Sequence, residues 1–133
     1  MSEEQGHRVQ LRWRDLDGLG HVNHTVVLTY LEEGRDAFLA ERGIRRDEYV
    51  VGNCAIRYLD EIDAELAAVT VQTSVRELGR SSVATSERIL GRDGKVVVEA
   101  EFELVLWDPQ QRGSRPITDE ERASLTPSGG AAR

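Results

Sequence analysis

The apolar positions of this chain keep a period of two, change once to a period near 3.6, and return to two for the remainder of the domain. Val9, Leu11 and Trp13 alternate with Arg8, Gln10, Arg12 and Arg14, which predicts a half-buried strand over 8–14. From about residue 23 to 42, Val27, Tyr30, Leu31, Gly34 and Phe38 recur at helical spacing, and Gly43 supplies a stop. Strands then follow at about 49–62, 65–78, 81–90 and 95–107. The last is the clearest: Val96, Val98, Ala100, Phe102, Leu104 and Leu106 fall on one face, and Glu99, Glu101 and Glu103 on the other. Arg92-Asp93-Gly94 reads as the hairpin turn between the final two strands, with Asp-Gly supplying positive φ values.

One strand, one long helix and four strands with short connections predict an α+β domain with an antiparallel five-stranded sheet. About eighteen helical residues span roughly 27 Å, close to the width of five strands about 4.8 Å apart, so a sheet wrapped around a central helix is the simplest way to bury both. After Trp107, Asp108-Pro109 ends the last strand, and Thr118-Asp119-Glu120-Glu121 is placed to cap a short helix running to Leu125. The single domain is expected to occupy 1–125, with 126–133 a disordered tail.

At 133 residues there is room for one core. A net charge of −7 without a basic stripe argues against a nucleic-acid partner, so any anionic ligand must find a local positive spot. Cys54 is the only cysteine, which excludes an intrachain disulfide and a thiolate metal cluster and is expected to be a small buried hydrophobe. The polar first residues lack an apolar leader, and no apolar run reaches membrane-spanning length, so no membrane partner and a cytoplasmic location are expected.

The most chemically loaded stretch is Arg14-Asp15-Leu16-Asp17-Gly18-Leu19-Gly20-His21-Val22-Asn23-His24, at the junction of strand and helix. Gly18 and Gly20 allow positive φ and close ligand approach, while a first helical turn points free N–H groups outward beside a carboxylate. Such a site can polarise a carbonyl and attack it. The same residues also admit plainer roles: Asp17 in an Asx-turn or against the helix N-terminus, Asn23 as an N-cap, and Asp15 as a brace for the turn. His21, His24 and Asp17 make a weak metal pattern that lacks a further ligand at recognisable spacing, and an EF-hand fails because Val26 stands where its bidentate Glu belongs. No metal or cofactor is expected.

Arg12-x-x-Asp15-x-Asp17-x-x-Gly20-His21-Val22-Asn23, followed by a helix carrying Tyr30, Glu32 and Arg35, resembles the hotdog-fold acyl-CoA thioesterases of the 4-hydroxybenzoyl-CoA thioesterase type. The resemblance implies hydrolysis of an acyl-CoA by a homodimer or homotetramer built through paired sheet edges. It implies that Asp17 acts on the thioester carbonyl, either as nucleophile or as general base, and that the His24 backbone N–H polarises that carbonyl while Gly20 gives the acyl group access. It places the turn around Arg76–Ser82 near the coenzyme A tail, with Arg80 as phosphate contact and Ser81 and Ser82 suited to pantetheine amides. Taken by itself that turn is equally an exposed turn with ordinary charges.

Tyr30 and Phe38 are expected in the core, with Tyr30 reaching the acyl pocket. Glu32, Glu33, Arg35 and Asp36 are expected on a solvated helix face or in an intrahelical pair. Three rivals share the fold: hydrolysis of an acyl carrier protein thioester, hydration or dehydration of an enoyl thioester with His21 as the acid/base group, and a non-catalytic acyl-CoA-binding module. No Gly-x-Ser-x-Gly elbow is present, consistent with a thioester activated enough to be cleaved without a Ser-His-Asp triad.

Overall fold

A computed structural model describes residues 6–12, 15, 22–63 and 65–126. The long helix α1 is His24–Ala40, and it begins at Asn23, whose side-chain oxygen accepts from the Thr25 amide at 3.0 Å. It ends where Gly43 takes φ +85 and the Ile44 amide reaches back to the Leu39 carbonyl at 3.0 Å, a closure that favours a left-handed residue. Ile44 is buried beside that closure.

The strands are β1 His7–Gln10, β2 Tyr49–Tyr58, β3 Ala68–Leu78, β4 Ser82–Leu90, β5 Val96–Asp108 and β6 Gly113–Ser114, and a second helix α2 spans Asp119–Leu125. All pairings are antiparallel in the order β1-β3-β4-β5-β2, with β6 added to the end of β5. The result is an α+β hotdog fold, a curled sheet holding one long helix. Its main contacts with the helix come from β1, β3 and β4.

Several expected boundaries shift for local reasons. β2 stops at Tyr58 because the Leu59 and Asp60 amides both turn to the Val97 carbonyl, at 2.9 and 3.2 Å, so the ladder cannot continue to 62. β3 starts at Ala68 because the Asp63 side chain accepts from the Glu65 amide and the Asp63 carbonyl from Leu66, a turn rather than a strand. The short β6 was not expected; Arg112 at φ 58 and Asp108, accepting from Gln110 and Gln111, reverse the chain. Residues 13 and 14 of the first expected strand, and the expected tail at 127–133, lie outside the described residues.

The core lies between α1 and the inner face of the sheet, where Val27, Tyr30, Leu31 and Leu39 meet Val69, Val71, Val83, Ile89, Phe102 and Leu104. Gly34 lets the helix approach β3: a Cβ there would lie 2.6 Å from Val71 Cβ and closer still to one of its methyls. The Asp93-Gly94 turn has φ values of 58 and 75, and Thr118 with Glu121 forms a capping box that starts α2.

Arg35 corrects the expectation of a solvated face. It is 2 % exposed, donates from Nε and Nη2 to Glu87 on β4 at 2.9 and 3.1 Å, and lies 3.9 Å above the Phe102 ring. Cys54 is a correction in the other direction: it is exposed on β2, because β2 is the sheet edge and α1 lies over the opposite half.

Candidate active site

His24 is the first residue of α1, so its backbone N–H has no intrahelical carbonyl to bond and points out of the helix start. Its exposed imidazole meets the Tyr58 ring edge-on at 4.9 Å between centroids, and the Tyr58 hydroxyl donates to the His24 carbonyl at 3.4 Å. Tyr58 thus stands beside the helix N-terminus, a neighbour that sequence reasoning missed because 34 residues separate the two.

From Tyr58 a strip of apolar side chains follows β2. Val51, Cys54, Ile56 and Tyr58 pair in register with Leu104, Phe102, Ala100 and Val98, so they belong to the helix side of the sheet. Their partners on β5 are buried, yet Val51 and Tyr58 are each 46 % exposed and Cys54 is open. Leu28, one turn beyond His24 on α1, is likewise exposed. The helix start thus meets the edge strand at the His24–Tyr58 contact, with exposed apolar side chains on both elements.

Asp15 is buried where the chain enters this region. Its Oδ2 accepts from the Tyr30 hydroxyl at 2.6 Å and from the Arg12 amide at 2.9 Å, and its carbonyl accepts from the Asn23 amide at 2.9 Å. The expected bracing role is what this geometry performs. Tyr30 is fully buried, and burial, followed by its hydrogen bond to Asp15, pushes its phenol far above the ordinary range, so it is a neutral donor. Arg12 also pairs with Glu33, which holds its guanidinium above its usual value. Asp17, Gly20 and His21, with Gly18, lie outside the described residues.

The turn between β3 and β4 is closed by the Gly79 amide on the Ser82 carbonyl at 2.9 Å. Its backbone is braced by the C-terminal segment: Ile117 donates to the Arg80 carbonyl, Leu106 to Ser81, and the Arg122 guanidinium to Gly79. Arg80 keeps an exposed side chain, and Ser81 and Ser82 are half-buried. The structure does not bring these three to the helix start. Ser82 pairs with Val105 whereas Tyr58 pairs with Val98, so they sit toward opposite ends of β5, seven residues or roughly 23 Å apart at about 3.3 Å per residue.

Among the described residues, no group of three His, Cys, Asp or Glu side chains could hold a metal ion, and no helix is long and apolar enough to cross a membrane.

Residues 11–127 match the model of the thioesterase-like superfamily, and the chain belongs to that family. Among solved structures, a thioesterase from Thermus thermophilus, complexed with coenzyme A and zinc, is 28% identical, with a TM-score of 0.81 over 91% of this chain and 96% of that one. The thioesterase candidate PA2801 from Pseudomonas aeruginosa is 30% identical, with a TM-score of 0.79 over 90% of this chain and 96% of that one. A DHNA-CoA thioesterase from Staphylococcus aureus, 15% identical with a TM-score of 0.79 over 96% of this chain and 93% of that one, shares the fold. None of the curated proteins matches the chain.

Proposed function

We propose that the protein hydrolyses an acyl-CoA thioester, with Asp17 as nucleophile or general base and the His24 N–H as carbonyl polariser. The observation that carries this reading is the first-turn position of His24, seven residues after Asp17, beside Tyr58 and the exposed apolar side chains of Leu28 and β2. A thioester oxygen that gains negative charge during attack is stabilised by a donor fixed in place beforehand, and a capped helix start is such a donor. Asn23 caps the helix and thereby orients that amide, and Gly20 leaves room for the acyl group. The acyl chain lies against the exposed apolar side chains of Leu28 and β2, and Arg80, Ser81 and Ser82 take the phosphate and pantetheine end of the extended coenzyme. The sheet separation of those two groups of residues suits a ligand whose reactive carbonyl and nucleotide lie at opposite ends of a long arm.

The protein works in the cytoplasm as a homo-oligomer. β2 is an edge strand carrying exposed Val50, Val51 and Tyr58, continued by Leu59, and a second copy pairing on it would cover them. Sedimentation that returns a monomer at micromolar concentration would remove this part of the reading.

The catalytic test supplies saturated short, medium, branched and aromatic acyl-CoAs and follows thiol release. Wild type is expected to turn over at least one class, and Asp17→Asn to lose about 10²-fold or more of kcat while still binding the acyl-CoA. Undiminished turnover by Asp17→Asn refutes the mechanism. Turnover of saturated substrates also excludes a pure hydratase.

A further inference from the structure

Asp15 joins three parts of the chain at one point. Its carboxylate takes the Tyr30 hydroxyl and the Arg12 amide, its amide donates to the Arg12 carbonyl at 2.9 Å, and its carbonyl receives the amide of the N-cap residue Asn23. Arg12 Nε stands 3.8 Å from the same carboxylate oxygen. Asp15 is 6 % exposed and Tyr30 not at all, so the bond between them is closed to water. The helix is therefore tied to Asp15 twice, at Asn23 where it begins and at Tyr30 about two turns further on.

We propose that Tyr30 is a positioning residue: acting through Asp15, it fixes the helix start that carries the His24 amide. This rests on the function proposed above. Tyr30 has no surface open to a ligand and its hydroxyl is spent on Asp15, so it is not the acyl-pocket contact its helical position suggested. The oxygen, and not the ring, carries the effect. Phenylalanine fills the same space in the core but leaves the Asp15 carboxylate short of its strongest buried donor.

The test compares Tyr30→Phe, Asp15→Asn and Asp15→Ala with Tyr49→Phe. The last removes a phenol–carboxylate bond of similar length, half-buried, from Tyr49 to Asp36 Oδ1 at 2.7 Å, on a part of α1 remote from its start. Displacing a reacting group by about 1 Å can cost about 10²-fold, so Tyr30→Phe and Asp15→Ala are expected to lose about 10- to 100-fold in kcat with KM unchanged. Asp15→Asn, which keeps a carbonyl acceptor for the phenol, is expected to recover most of that loss, and Tyr49→Phe to keep full kcat despite a comparable loss of thermal stability. Equal falls in kcat for Tyr30→Phe and Tyr49→Phe, or a change confined to KM, overturn the proposal.

Amide hydrogen exchange provides a reading independent of turnover. The Asn23 amide is expected to exchange about tenfold faster in Tyr30→Phe than in Tyr49→Phe. Unchanged Asn23 exchange defeats the positioning role even if the enzyme hydrolyses thioesters. Accelerated exchange in a protein that releases no thiol upholds the tie to the helix start and defeats the catalytic reading instead.

Discussion

Replacing Glu87 by leucine tests the most demanding feature of the core. Arg35 and Glu87 have side chains 3% and 0% exposed, and they meet in a two-point contact at 2.9 and 3.1 Å. Thr85 donates a further 2.8 Å bond to the same carboxylate, and Phe102 lies under the guanidinium. Burial works against the Arg35 charge, but the Glu87 hydrogen bond and attraction, with help from Tyr49, outweigh it and hold the guanidinium above its usual value. At about 3 Å and an effective dielectric near 20 the attraction is about 5 kcal/mol, similar to the several kcal/mol needed to dehydrate each ion. The pair taken whole therefore adds little net stability, whereas either ion left alone keeps its dehydration cost without its partner. Glu87→Leu and Arg35→Met are each expected to cost about 3–5 kcal/mol, or roughly 10–20 °C in melting temperature, and the double variant to recover most of that. Urea unfolding of all four species measures the coupling, and high salt should leave it unchanged because the pair is dry. A cost for Glu87→Leu below about 1 kcal/mol, or additivity in the double variant, would show that the pair is not closed off from water as described.

Two further outcomes follow from the packing and the phenols. Gly34→Ala gains about 1 kcal/mol of helix propensity but drives a methyl into Val71, so a net loss of about 1–2 kcal/mol by urea unfolding is expected, relieved in Gly34→Ala/Val71→Ala; a net gain in the single variant would contradict the close approach of α1 to β3. The phenols of Tyr30 and Tyr49 are both raised, by burial first and then by their carboxylate partners, above an ordinary value of 10.0. Their contribution is thus intact below that value and is lost as pH rises past it, because the unfolded chain releases those protons first. The urea midpoint should fall above about pH 10, less steeply in Tyr49→Phe, and a midpoint flat through that range would refute the assignment.

What the sequence made legible were features decided within a few residues. Asn23 caps α1, Asp93 and Gly94 take positive φ, Gly43 ends the helix and Thr118 with Glu121 starts α2, because each depends on a local backbone donor and the side chain able to reach it. The alternation of β5 was readable for the same reason, since one buried face imposes period two wherever the strand lies in the sheet. The Arg35–Glu87 pair was half visible. Arg35 falls in the apolar stripe four residues after Leu31 and four before Leu39, and Glu87 sits at an inward position between Thr85 and Ile89, so two opposite charges were already pointed at the core. Their pairing across 52 residues depends on α1 crossing β4, which no local pattern encodes.

The same distinction explains the candidate site. The Asp15-to-His24 signature is contiguous, so its residues were found together, and the expected brace at Asp15 is the bond network observed. Tyr58 was missed because its approach to His24 is set by β2 pairing on the far side of β5 from β4, a consequence of strand order. Strand order also separates the Arg80 turn from the helix start, which spacing along the sequence could not reveal, and it leaves Cys54 on an open edge instead of in the core. The missed Tyr58 and the misplaced Cys54 have one physical origin: the helix packs on β1, β3 and β4, and β2 lies beyond its reach. Val51, Cys54 and Tyr58 stay open although their β5 partners are buried, so the apolar surface running along β2 to the His24 contact is the part of the inner face that this sheet's own helix does not bury.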